Sequence, residues 1–467
     1  MDKYKKLAAN TLIFAIGSFG SKLINILLIK LHTIYLEPSL FSQKDLIEQT
    51  ANFLIPIFSF SIAEAIIRYG IDKGYNNKQV FSTGVAIAML GATALALLSP
   101  LFNFVPYLNG YGFILYIYVY TSCFRSVCSQ FVRAKGQVKL FAVDGILATL
   151  SILLFNVLFL VVLKWGVLGY LLSIILSDFC SGIFLCIMGN LSRYFDIKSI
   201  RPEIFKLMMK YSLPLIPTAI MWSITSVSDR IFIRYINGAE ANGLYSAATK
   251  IPNLISIVST IFFQAWNMSA ISENDSKHIT KFYTTVFSAY QSVMYIATAF
   301  LIALICPLTK LLMSDNYYES YKYMPLLSLA VLMLSFSQFL SSVYNATQHT
   351  KNSFFTSLAA AGTNIVLNII LIPKWGVQGA AFATFVSYFI CYMIRIFDTK
   401  RYINFYTDHM KVLMNMLVLG GMSAVLLIMP DGWIDYLIAG VCFITIVNFS
   451  AVIKTLKQII SRRKSSQ

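Results

Sequence analysis

From Leu7 to Ile453 the chain is a succession of apolar stretches separated by short polar links. Stretches of about 20 apolar residues suffice to span the hydrocarbon core of a bilayer. A water-soluble chain carries roughly 25% charged residues; this one carries 12%, with 57% hydrophobic. Too little polar surface remains to cover a soluble globule of this size, so the solvent of the folded chain is lipid. The expected fold class is an all-α integral membrane protein of about fourteen transmembrane helices. They are read at Leu7–Leu31, Leu46–Ile67, Val80–Phe104, Gly112–Phe131, Leu140–Leu163 and Val167–Met188. After a polar stretch they continue at Leu213–Ile236, Gly243–Ser269, Phe282–Met313, Met324–Ala346, Phe354–Ile372, Val377–Ile396, Val412–Met429 and Trp433–Ile453. The first stretch is far longer than the about 7–15 residues of a signal-peptide core, so it reads as a transmembrane helix and not as a cleaved leader.

The links test the count. Lys and Arg concentrate on cytoplasmic loops of membrane proteins. With the N-terminus inside, the odd-numbered links face out, and Phe104–Tyr111, Asn237–Asn242 and Pro430–Gly432 contain neither residue. The even-numbered links and the tails carry the charge, as at Arg68, Lys73 and Lys78, at Arg193 to Lys210, and at Lys454 to Lys464. Roughly 26 basic residues then face the cytoplasm and about 5 face outward. The net charge of +17 is thereby explained by topology, with no need for a nucleic acid. Both termini are expected in the cytoplasm, the protein in a bacterial inner membrane. The outward links are too short for an extracytoplasmic catalytic domain.

A short sequence occurs twice. Lys164-Trp-Gly-Val-Leu-Gly169 returns as Lys374-Trp-Gly-Val-Gln-Gly379, and Ser177 and Phe179 match Ser387 and Phe389 at the same offset of 210 residues. Each copy links two apolar helices, the fifth to the sixth and the eleventh to the twelfth. A repeat after six helices keeps inside and outside unchanged, so it is parallel. The expected organisation is a six-helix bundle at 1–200, a second at 201–400, and two further helices with a basic tail at 401–467. Paired bundles of this kind hold substrate between them and work by alternating access.

Charges within the spans carry the rest of the reading, because an ionised group near the bilayer centre costs several kcal/mol and normally faces a bundle interior or a wet cavity. The basic residues within or at the edges of the helices are Lys22, Lys30, Arg125, Arg230, Arg234 and Lys250; the acids are Glu48, Glu64, Asp144, Asp178 and Asp229. Glu64 and Arg68, four apart, read as an ion pair, and Lys30 and Arg234 as snorkelling side chains. Lys22, Arg125, Arg230 and Lys250 come from both halves and outnumber the deep acids, which points to a cationic central cavity suited to a phosphate-bearing or acidic-sugar ligand. Mutual ion pairing is the alternative for each. Asp178, Asp229 and Glu48 are candidates for ion coupling or charge balance. Pro56, Pro214 and Pro217 remove backbone donors and are expected to kink their helices; Gly17 and Gly20 allow close approach or a bend beside Lys22. No Walker loop, nucleophile elbow or metal-spaced histidine set occurs. The seven cysteines fall in apolar segments without metal spacing, and no cofactor or metal is expected. Transport without a nucleotide site must draw on an ion or substrate gradient.

The series Tyr211-Ser-Leu-Pro-Leu-Ile-Pro217, Ser228-Asp-Arg230, Gly243-Leu-Tyr245, Lys250-Ile-Pro252 and Gln264-Ala-Trp266 resembles the polysaccharide biosynthesis branch of the multidrug/oligosaccharidyl-lipid/polysaccharide exporter superfamily, the Wzx-type O-antigen and capsule flippases. Phe14 to Lys22 and Pro56 to Arg68 are similar to the same family. The resemblance implies paired six-helix bundles with two extra helices and an undecaprenyl-diphosphate-linked oligosaccharide as substrate. It implies a cationic lumen with Lys22, Arg230 and Lys250 at the matching positions, and coupling to H+ or Na+. A polysaccharide polymerase and chain-length machinery are the implied partners. The sequence departs from the family around Ser42-Gln-Lys-Asp-Leu46, where the usual glycine-containing turn is missing. Alternatives are a peptidoglycan lipid-precursor flippase, a teichoic-type polymer exporter, a cation-coupled drug exporter, which typically has twelve helices and an acidic site, and a membrane polysaccharide polymerase, which needs a larger outer loop.

Overall fold

The structure is a computed structural model and describes residues 24–72, 74–260, 262, 279–347 and 349–465. Every regular element among them is helical. By packing the chain divides into two compact units, Met1–Val227 and Ser228–Gln467.

Unit 1 contains α1 (Ile24–Tyr35), α2 (Pro38–Phe58), α3 (Ile62–Ile71), α4 (Asn77–Leu98), α5 (Gly112–Ala134), α6 (Val138–Asn156), α7 (Gly166–Met188) and α8 (Pro202–Ser212). α9 (Ile216–Asn237) begins in unit 1 and ends in unit 2. Unit 2 continues with α10 (Ala239–Ala248), α11 (residues 254–260), α12 (Ile279–Leu312), α13 (Met324–Ala346), α14 (Thr350–Thr399), α15 (His409–Ile428) and α16 (Trp433–Ser465). Among the described residues seven helices are long and apolar enough to cross a membrane, and α2 with α3 makes an eighth if the bent pair is one span. α14 contains two of the expected spans, parted by a break at Gly376.

The expected helix Leu46–Ile67 differs most from what forms. α2 starts eight residues earlier, with Pro38 at its first position, where the missing N–H would be unpaired anyway. It ends just beyond Pro56. Phe60 and Ser61 take left-handed φ of 52° and 48°, and α3 leaves at 52° to α2. Gly91 of α4 lies against this break. A Cβ on it would come 1.5 Å from the Phe58 carbonyl oxygen, so only glycine lets the two backbones touch. Pro214 and Pro217 lie where a short 3-10 turn, Leu213–Leu215, joins α8 to α9, with Pro217 the second residue of α9. The backbone keeps right-handed helical dihedrals at Ser212, Leu213 and Ile216, so the prolines, which lack the N–H donor, mark an irregularity within a continuous helical run.

In unit 1, α5 packs along α7 and α3, and α6 along α7. Ile62, Ile66, Val80, Phe81, Phe131, Val132, Leu185 and Met208 form a buried core that ties α3, α4, α5, α7 and α8 at one end. In unit 2, α13 packs along both halves of α14, and α12 along α16, α13 and α15. Leu97, Phe104, Leu154, Ile428 and Ile446 are exposed, as side chains that meet lipid must be. α15 and α16 are tied by Asn448, whose amide donates to Asn415 Oδ1 at 2.7 Å; in hydrocarbon such a bond has no competing water.

The repeated hexapeptide makes a turn in each unit that shares its glycines but not its lysine, since Lys164 takes φ 55° and Lys374 does not take a positive φ. Gly166 and Gly376 both take positive φ, 56° and 58°. The closing glycines both press on the preceding helix: a Cβ on Gly169 would meet the Phe159 carbonyl oxygen at 3.0 Å, and one on Gly379 the Leu371 oxygen at 2.5 Å.

Candidate functional site

In unit 1, Arg125 projects from mid-α5 between two carboxylates. Its guanidinium donates to Asp178 of α7 at 3.0 Å and to Asp144 of α6 at 3.3 Å. Ser122, one turn from Arg125, donates to Asp178, and Ser181, one turn from Asp178, donates to Asp144. The i, i+3 spacing on both helices puts each serine beside its neighbour's charge. Both acids are buried, whereas the Arg125 side chain keeps 27% of its surface. The cluster holds one cation against two anions, so Arg125 is already engaged. Its presence in a membrane interior is thereby explained by pairing, and its residual exposure keeps it within reach of a ligand.

Glu48 lies in a second polar cluster of unit 1. It accepts from the Tyr170 hydroxyl at 2.7 Å and lies 3.8 Å from Lys44 Nζ, one turn before it on α2. Lys44 is sealed, its ammonium 4.1 Å from the Tyr170 ring centroid and 4.3 Å from that of Phe41. Nearby on α1, His32 bonds Asn156 at 3.0 Å and packs edge-on to Tyr170. Lys44 belongs to the segment that departs from the family pattern. It escaped the list of membrane-embedded charges because α2 starts before it.

In unit 2, Asp229 of α9 is buried and ringed by neutral donors. Tyr245 of α10 donates to Oδ2 at 2.7 Å, as does Thr384 of α14 at 2.5 Å. Asn364 and Asn368, one turn apart on α14, donate to Oδ1 at 2.9 and 2.6 Å. Ser228 donates to Asn364 Oδ1 at 2.7 Å. The carbonyl oxygen of Asn368 is buried with no hydrogen-bond partner. Donors therefore occupy both carboxylate oxygens, and a proton or a hard cation could bind Asp229 only as some of these amides and hydroxyls turn their donors away. No group of three His, Cys, Asp or Glu side chains capable of holding a metal exists among the described residues. Asparagines are not conspicuous in an apolar run, and only the packing of α14 on α9 and α10 gathers Asn364, Asn368 and Thr384 about the acid.

Arg230 follows Asp229 and is buried. Lys250 lies in the turn that ends α10, its N–H bonded to Ala247 O at 2.9 Å. Arg125 thus belongs to unit 1, Arg230 and Lys250 to unit 2. Lys22, Gly17 and Gly20 lie outside the described residues, as does the Gln264-Ala-Trp266 segment. The expected Glu64–Arg68 pair does not form. Both side chains are exposed on α3 with no ion pair between them, in keeping with the few tenths of a kcal/mol that an exposed i, i+4 pair is worth. A further buried charge, Arg395, stands near the end of α14. Its guanidinium donates to the Thr356 hydroxyl at 2.9 Å, to Ser337 O at 2.7 Å and to Ser357 at 3.1 Å, lacing α13 to both halves of α14.

Comparison with known proteins bears on these arrangements. A family model described as "polysaccharide biosynthesis protein" matches residues 7–267. An uncharacterized membrane protein of Methanocaldococcus jannaschii is 26% identical over 258 residues, which cover 52% of this chain and 60% of that protein. Among solved structures, the lipid II flippase MurJ in an inward closed conformation matches with a TM-score of 0.68 and 17% identity, over 95% of this chain and 99% of the other. An inward-facing multidrug resistance MATE transporter of the MOP superfamily matches with a TM-score of 0.65 and 14% identity, over 82% and 94%. A MOP superfamily transporter from Pyrococcus furiosus, described as having a binding pocket of reversed polarity, matches with a TM-score of 0.54 and 15% identity, over 85% and 96%. These likenesses establish a transporter fold shared with MurJ and MATE proteins.

Proposed function

The chain belongs to the polysaccharide biosynthesis protein family, and from that premise we propose that it is a flippase that moves a polyprenyl-diphosphate-linked oligosaccharide across a bacterial-type inner membrane. The observation that carries the reading is the family match over residues 7–267. The fold supports it. The likeness to a lipid II flippase runs through 95% of the chain, whereas that to a MATE transporter covers 82%, so nearly the whole length has a counterpart in a lipid flippase. That wider coverage also keeps a lipid II-type peptidoglycan precursor as the second reading. The substrate would be an O-antigen, capsule or exopolysaccharide repeat unit. Lys22, Arg125, Arg230 and Lys250 would face its diphosphate, both termini would lie in the cytoplasm, and a polymerase would take up the product outside.

Coupling would run through Asp229. Its carboxylate, the unsatisfied Asn368 carbonyl oxygen and the Thr384 and Ser228 hydroxyls are groups that would hold Na+ or let a proton neutralise the acid. Proteoliposomes loaded with a fluorescent polyprenyl-diphosphate saccharide test the function. With a nitrobenzoxadiazole label on the sugar, the protein should bring it within reach of membrane-impermeant dithionite, which reduces and quenches the label, faster than empty vesicles do, and equal rates would refute it. Replacing NaCl by choline chloride should lower the melting temperature if Na+ is the coupling ion. Asp229→Asn should abolish that difference.

A further inference from the structure

The two copies of the repeated turn differ at one position of six, Leu168 against Gln378. The structure shows what surrounds the difference. In unit 2 the ends of α9 and α15, the start of α10, the turn before α13 and the break of α14 border an open cavity of about 590 Å3. Its lining includes Asn237, Lys322, Tyr323, Trp375, Gly376 and Gln378. That volume falls in the about 300–1,000 Å3 range of small-ligand sites. The carbonyl oxygen Oε1 of Gln378 is buried and has no hydrogen-bond partner. A buried acceptor left unsatisfied is costly, so a polar side chain here, where the sister turn has leucine, calls for a donor from outside the chain.

The tryptophans diverge in the same sense. In the first copy, Trp165 lies flat on Phe159, with centroids 5.2 Å apart and an angle of 7° between the planes. In the second, Trp375 meets Phe382 at 77° and is 57% exposed, and among the described residues no ring stacks on it. Gly376, at φ 58° and ψ −140°, gives the turn a shape that residues with a Cβ avoid. It also lets the Asn237 amide come within 3.5 Å of where a Cβ would stand. An open indole face, a buried amide acceptor and a second amide are groups that bind a sugar ring, through its apolar face and its hydroxyls. The cation at the rim is spoken for, because Lys322 is bonded to Glu319.

We infer that this cavity is a subsite for one neutral sugar ring of the substrate's saccharide, stacked on Trp375 and donating a hydroxyl to Gln378 Oε1 once the amide turns towards the opening. The choice of a saccharide rests on the function proposed above. The cavity opens among the helix ends that the basic-residue asymmetry places outside. It reads sugar hydroxyls, whereas the lumen cations would read the diphosphate.

The test uses the full chain labelled with 5-fluorotryptophan, the Trp375 signal being assigned by its loss in Trp375→Phe. The probes are methyl glycosides of glucose, galactose, N-acetylglucosamine and rhamnose, with glucuronate and inorganic phosphate alongside. The Trp375 resonance should shift saturably with at least one neutral glycoside and not with phosphate. Gln378→Leu, the residue the sister turn already carries, should weaken that binding about tenfold, and Lys322→Ala should change it less than twofold. A resonance indifferent to every glycoside would make Trp375 an interfacial anchor and overturn the inference. So would a response to glucuronate or phosphate alone that Lys322→Ala removes. The vesicle assay separates the two readings. A saturable Trp375 shift in a protein that flips nothing keeps the subsite and removes the flippase. Flipping unchanged by Gln378→Leu, with Trp375 silent, does the reverse.

Discussion

Removing the Arg125 side chain should cost unit 1 its stability before it says anything about transport. Arg125→Met leaves Asp144 and Asp178, bonded at 3.3 and 3.0 Å to the guanidinium, as two buried carboxylates facing each other without a cation. Breaking a buried pair by removing one partner costs about 3–5 kcal/mol. The lower end applies, because 27% of the Arg125 side chain meets open space. At 2–4 °C per kcal/mol for a unit of this size, a loss of about 3 kcal/mol lowers the melting temperature by roughly 6–12 °C. Adding Asp144→Asn and Asp178→Asn removes the unpaired charges, and the amide oxygens still accept from Ser181 and Ser122. The triple variant should therefore melt within about 3 °C of the parent, since uncharged replacements of a buried ion cluster are often neutral. Thermal unfolding in detergent, followed by light scattering, reads both values. A triple variant as unstable as Arg125→Met would refute the pairing argument. If Arg125 also meets substrate, the stable triple variant will remain inactive in the vesicle assay.

If the lumen requires positive charge, Lys250→Arg and Lys22→Arg should keep part of the flipping rate while the glutamine variants fail. Asp229, whose four donors are neutral, gives Lys250→Gln with Asp229→Asn no reason to recover, and clear rescue would make Lys250 a structural partner. Impermeant thiol reagents should label cysteines introduced at Asn109, Gly238 and Asp431 in intact cells, but not at Asn76 or Ser466; labelling at Asn76 would break the fourteen-span topology. Gly379→Ala should destabilise unit 2 by about 1–3 kcal/mol, because its Cβ would stand 2.5 Å from the Leu371 carbonyl oxygen. Gly145→Ala, with nothing within 4 Å, should not.

Much of the fold was legible because apolar length is a local signal. Met324–Ala346 forms with the bounds read from the sequence, and α12 and α15 begin within three residues of theirs. Helix starts preceded by polar residues were harder. Lys44 and Asp45 read as a link, yet both are buried in α2, because Tyr170 arrives from a distant position to close over a lysine that Phe41 and Glu48 flank one turn away on the same helix. The prolines at 214 and 217 fall at a 3-10 interruption between α8 and α9, whereas the helical run that precedes them, from Pro202, read as part of a polar link. At the candidate site, Asp229, Arg125 and Asp178 were legible as costly charges in apolar runs. Their partners were not: Asn364, Asn368 and Thr384 look like ordinary helix residues until α14 is laid against α9. Leu168 and Gln378 stood in plain view, but only the packing around each turn gives the difference a meaning.

The break between α2 and α3 has a mechanical consequence. Ten helical residues are about 15 Å long, so straightening a bend of 52° would sweep the far end of α3 through about 13 Å. Beside the bend the Phe58 carbonyl rests on Gly91 of α4 with no side chain between them. Rotamer changes cannot relax such a contact, so any motion that drives the end of α2 towards α4 meets backbone directly, while α3 beyond Ser61 is left to swing.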